Sequence, residues 1–66
     1  MVISVNGEIR NCGEGETLAS FLESHGLEAT RVAVELNGEI VSRDLYPETV
    51  LHAGDRVEIV RFVGGG

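Results

Sequence analysis

The sequence predicts a two-layer α+β domain: one mixed sheet of about five strands packed on a single helix. Three observations lead there. Strand-like runs are joined in pairs by Asn6-Gly7 and by Asn37-Gly38, and Asn-Gly between alternating apolar residues is the strongest short-range hairpin signal because both residues tolerate positive φ. Only one stretch, with Leu18, Phe21 and Leu22 at i, i+3 and i+4, has the helical period. The last apolar run, with Val57 and Ile59 two apart, returns to the strand period.

The first hairpin occupies "MVISVNGEIRNC", where Ile3 and Val5 alternate before the turn and Ile9 follows it. In "CGEGETLASFLESHGL" the period changes to that of a helix, with Thr17 placed to cap its start and Gly26 to end it. The run "TRVAVELNG" puts Val32, Val34 and Leu36 on one face of a third strand, and the second Asn-Gly turn leads into a short fourth strand with Ile40 and Val41. "SRDLYPETVL" has neither period and holds the only proline, so it is expected to be a connection with one helical turn around Tyr46 to Val50. A turn at Ala53-Gly54-Asp55 then starts the final strand. In the order ββαββ(loop)β a lone helix must bury its apolar stripe on one face of the sheet. The helical crossover lets the first and last strands both lie inside the sheet, which is the β-grasp, or ubiquitin-like, fold.

At 66 residues the chain makes one domain and buries only about 60% of the surface its unfolded form exposes. Enclosing an ordinary enzyme pocket of roughly 300 Å³ or more is difficult at that size, which favours a carrier, subunit or binding module over a free-standing enzyme. Hydrophobic residues make up 42% of the chain, more than disorder allows. No run approaches the roughly 18 apolar residues of a membrane span, and no basic segment or signal-like core precedes the first strand. One cysteine permits neither an internal disulfide nor a C-x-x-C site. A cytoplasmic protein, monomeric when free, is expected. Eleven acidic against five basic residues give a net charge of −6, which repels phosphate backbones and argues against nucleic acid. A basic protein surface is the complementary partner.

The chain closes on "RFVGGG". Glycine loses the most backbone entropy on ordering and has no side chain to bury, so these residues contribute little to a fold. A domain spanning 1–63 and a flexible tail spanning 64–66 are expected. Either the tail is incidental, or its unhindered carboxylate is the functional group. A carboxylate is a poor electrophile until activated, and a glycine backbone can thread a channel in which a Cβ would clash.

"VAVELNGEIVSR" followed by "LHAGDRVEIVRFVGGG" resembles the ThiS family of sulfur carriers in thiamine biosynthesis, and the likeness runs from the opening "VNGE" to Gly66. Two positions depart from the family pattern. Ser42 precedes Arg43 where proline is frequent, and Tyr46 stands where tryptophan is frequent. The resemblance implies that an ATP-dependent activating enzyme adenylates the Gly66 carboxylate, ATP being used by that enzyme and no cofactor being bound here. Sulfur from a persulfide, supplied by a cysteine desulfurase or another donor, would displace AMP and leave a thiocarboxylate. Thiazole synthase would be the recipient, with Gly64 and Gly65 extending the reach of the tail. Two alternatives share the fold. One is the small subunit of molybdopterin synthase, which tends to carry prolines before its glycines, whereas Phe62-Val63 lead in here. The other is a ubiquitin-like modifier or plain binding module.

Other candidates are weaker. "GEGE" at Gly13 to Glu16 lacks the lysine and the spacing of a phosphate loop and is expected to be a turn. His25 and His52 have no ligand-spaced partners; a helix-end cation and a loop residue are expected. Cys12, ending an apolar strand, is expected to be buried as a small hydrophobe. The final strand carries one anomaly. With Val57 and Ile59 facing inward, Val60 and Phe62 fall on the opposite face, which marks them as a partner-docking surface unless they pack beneath the connection from Asp44 to Val50.

Overall fold

In the computed structural model, which describes residues 1–62, the elements follow in the expected order. Strands β1 (Val2–Val5) and β2 (Glu8–Asn11) form the first hairpin, helix α1 spans Leu18–Ser24, β3 (Val32–Leu36) and β4 (Glu39–Ile40) form the second hairpin, and β5 is Arg56–Arg61. Both hairpins turn on two residues with positive φ, 51° and 82° at Asn6-Gly7 and 52° and 86° at Asn37-Gly38. The mirror-image turns this produces match the right-handed twist of the strands they join.

The sheet order is β2-β1-β5-β3-β4. β5 runs parallel to β1 and antiparallel to β3, so the first and last strands are both interior, as the crossover requires. This is the β-grasp. In α1 the Thr17 hydroxyl accepts a hydrogen bond from the Ser20 amide at 3.1 Å, capping the N-terminus. At the other end the Leu27 amide donates to Leu22 O at 2.9 Å and the Gly26 amide to Glu23 O at 3.0 Å, with Gly26 at φ 70°. That paired closure needs a left-handed residue, and glycine supplies it without a Cβ penalty.

Leu18, Phe21 and Leu22 from the helix meet Ile3, Val32, Val34 and Val57 from the sheet, with Tyr46 and Leu51 from the connection completing the core. No polar residue is buried among the described residues. The connection corrects the expectation of a turn around Tyr46 to Val50. It holds a 3₁₀ turn over Arg43–Glu48, a few residues earlier. Pro47 donates no amide, the Thr49 hydroxyl caps the Leu45 carbonyl at 2.7 Å, and Val50 is already paired with Thr17 in an isolated bridge. A second 3₁₀ turn, Ala29–Arg31, precedes β3; one turn of chain is too short to register as a period. Among the described residues no helix is long and apolar enough to cross a membrane.

Candidate functional site

Gly64, Gly65 and Gly66, the sequence's leading candidates, lie outside the described residues together with Val63. The described chain ends where that tail is rooted, at the C-terminal end of β5. Several contacts fix this root. The Phe62 amide donates to Arg31 O at 3.0 Å, continuing the β5–β3 ladder by one bond. On the other side β1 has already turned away, and the Asn6 side chain takes its place. Its Oδ1 accepts from the Ile59 amide at 2.7 Å, and its Nδ2 donates to Ile59 O at 3.1 Å. Asn37 acts likewise at the start of the strand, its Oδ1 accepting from the Arg56 amide at 2.9 Å and its backbone amide donating to Arg56 O at 2.8 Å. The residues that permit the two tight turns therefore also hold the strand that carries the tail.

The outer face of the root is apolar and open. Val60 and Phe62 are 59% and 56% exposed. The alternative that they pack under the connection does not hold, because that segment turns its Tyr46 and Leu51 into the core on the helix side. Opposite Val60 stands Ala33. Three residues that sequence reading had not assigned to this face join it. Ile9 pairs with outward Ser4, Ile40 pairs with outward Glu35, and Val2 alternates with buried Ile3; all three are exposed. A two-residue hairpin loop sets this register, so the turns at Asn6-Gly7 and Asn37-Gly38 already contained the signal.

The inner face of the root differs. Two open clefts, of about 350 and 340 Å³, flank Arg61 and share Leu27. His25, the residue that closes α1, borders one of them. Its ring lies 4.1 Å from that of Phe21, centroid to centroid, and its Nδ1 is 2.9 Å from Phe21 O, so the expected helix-end position is found. His52 lies in the turn before β5, where its amide donates to the Asp55 carboxylate at 2.8 Å. "GEGE" is a turn, closed by the Gly13 amide donating to Glu16 Oε1 at 3.0 Å. Cys12 is half-buried against the core and somewhat less enclosed than expected. Burial pushes its thiol pKa up, with the Glu16 carboxylate adding to the effect, so the reactive thiolate is disfavoured. Among the described residues no group of His, Cys, Asp and Glu is placed to hold a metal ion.

Comparison with known proteins agrees with this architecture from end to end. The ThiS family model matches residues 3–66. The sulfur carrier protein ThiS of Thermus thermophilus is 42% identical over 98% of this chain and 100% of its own length. The crystal structure of thiamine biosynthesis protein ThiS from Geobacter metallireducens superposes with a TM-score of 0.85 at 35% identity, covering 100% of both chains. The thiazole synthase of Paramagnetospirillum magneticum is 41% identical over all 66 residues, and this chain spans only 20% of that protein's length. With the family model matched over residues 3–66, a full-length relative at 42% identity and the fold superposing at a TM-score of 0.85, the chain belongs to the ThiS family.

Proposed function

We propose that this protein is the sulfur carrier of thiamine biosynthesis, that the Gly66 carboxylate carries the sulfur, and that the protein serves as a co-substrate and not as a catalyst. The observation that carries the reading is its membership of the ThiS family along the whole chain. An activating enzyme joins the carboxylate to AMP, releasing pyrophosphate from ATP. The outer sulfur of a cysteine persulfide then attacks the acyl carbon, and AMP leaves. A second thiol takes the donor's sulfur as a disulfide, and the thiocarboxylate is freed. Thiazole synthase consumes that sulfur; a thiazole synthase with a segment 41% identical to this chain supports the pairing. Gly64 and Gly65 give the reach, while Val60 and Phe62 dock the activating enzyme.

Incubation with the cognate activating enzyme, ATP, a persulfide donor and a thiol reductant is expected to raise the intact mass by one oxygen-to-sulfur replacement. Deleting Gly66, or adding one residue after it, is expected to abolish the change while the melting curve stays the same. Equal loading of the extended chain would overturn the mechanism.

A further inference from the structure

One of the two clefts on the inner face of the tail root is cationic in a strongly acidic protein. Of 66 residues, 11 are acidic and five are basic, yet the cleft of about 340 Å³ is bordered by Arg10, His25 and Arg61 and by no carboxylate-bearing residue. Its apolar walls include Phe21, Leu27 and Ile59. The register explains how the two arginines reach it. Arg10 is paired with buried Ile3, and Arg61 follows Val57 and Ile59 by the strand alternation, so both side chains belong to the helix side of the sheet. The helix has ended by then at His25, which leaves the cleft uncovered.

The two arginines are not equivalent. Arg10 is held by Glu8 at 3.1 Å, whereas Arg61 makes no ion pair among the described residues. Arg61 also borders the second cleft, where Arg31 is paired with Glu28 at 3.0 Å, and it is the residue immediately before the described end of the chain. A guanidinium presents a planar fork that matches a carboxylate. With apolar walls beside it, that fork suits an acidic side chain on a protein segment better than a fully hydrated ion.

From this placement we infer that the helix-side cleft seats a carboxylate-bearing segment of the activating enzyme, with Arg61 as the anchor and Arg10 on the rim. The inference rests on the carrier reading given above. An enzyme that draws in the tail then holds its root from two sides, through apolar contact with Val60 and Phe62 and through ionic contact with Arg61. The second contact supplies direction as well as affinity, since complementary charge governs encounter rate and register.

Titration calorimetry of the full chain with its activating enzyme, at low and moderate salt, tests the idea beside melting curves. Arg61→Gln is expected to weaken binding about tenfold at low salt, to flatten the salt dependence and to leave the midpoint in place. Arg61→Glu is expected to weaken it further, and Arg61→Lys to retain part of the affinity. Arg10→Gln should show a smaller effect in the same direction. Unchanged affinity and salt dependence for folded Arg61→Gln would overturn the inference. So would a titration in which inorganic phosphate occupies the cleft and Arg61→Gln alters phosphate binding alone, since the cleft would then be a small-anion site. An enzyme that binds the chain but never loads sulfur would overturn the carrier reading while the Arg61 comparison still decides the cleft. An enzyme that does not bind the chain overturns both.

Discussion

Phe62 and Tyr46 separate two jobs that an aromatic residue can do in so small a domain. Tyr46 is buried with Phe21 and Leu51 in the core, whereas Phe62 stands more than half exposed on the far face of the sheet. Replacing Phe62 with alanine is expected to leave the melting midpoint near that of the parent while costing about 2 kcal/mol of affinity for the activating enzyme. A core aromatic would instead lose roughly 3–5 kcal/mol of stability. A collapsed midpoint with unchanged affinity of the folded fraction would return Phe62 to the core. Cys12 offers a second contrast. Its thiol is shielded and its pKa raised, so Cys12→Ser is expected to load sulfur like the parent. The same substitution should alter behaviour in alkali. Because the folded state holds the thiol proton more tightly than the unfolded chain, stability falls as pH rises from the ordinary thiol pKa through the raised one. The serine variant should lack that component in pH-dependent denaturant melts. Loss of loading in a folded serine variant would instead implicate Cys12 in a sulfur relay.

At the scale of the element, the hairpins were the most legible part of the sequence. Asn-Gly dictates a two-residue turn, the turn dictates register, and register decides which of Ile3, Ser4, Ile9 and Arg10 face the helix. What stayed hidden was the second use of the same asparagines. No periodicity indicates that Asn6, at the end of β1, reaches across to the Ile59 backbone, a residue 53 positions away. Asn6→Gly keeps the turn and removes the bridge, and it is expected to cost about 0.5–1.5 kcal/mol, since the bridge is exposed and water can reach the Ile59 amide. Asn6→Asp retains the acceptor but sets a carboxylate oxygen against Ile59 O where the amide donated, so it too should be less stable than the parent in a denaturant titration. Equal stability of all three chains would mean that water replaces the bridge without loss. The connection was the least legible element. Its 3₁₀ geometry arises from Pro47, from Tyr46 entering the core and from Thr49 closing the turn, and such tertiary and side-chain effects leave no repeating pattern. The outward-facing pair Val60 and Phe62 could be placed by strand alternation alone, whereas the cleft around Arg61 could not, since it exists only where helix, hairpin and last strand converge.

For the molecule as a whole, charge and topology point toward the same end of the sheet. The residues of the inner cleft come from the first hairpin, the helix terminus and β5, so nothing short of the complete fold assembles them. β5 itself is flanked on both sides, by β1 and by β3. The setting of β5 also determines how a pulling force on its C-terminal end would be shared. Because β1 and β5 are parallel neighbours, a force applied between Met1 and the tail slides one strand along the other, loading the hydrogen bonds between them together. An edge strand in a hairpin would instead peel, one bond at a time. Pulled from its two ends, the fold therefore resists in shear, through the parallel pair at the centre of its sheet.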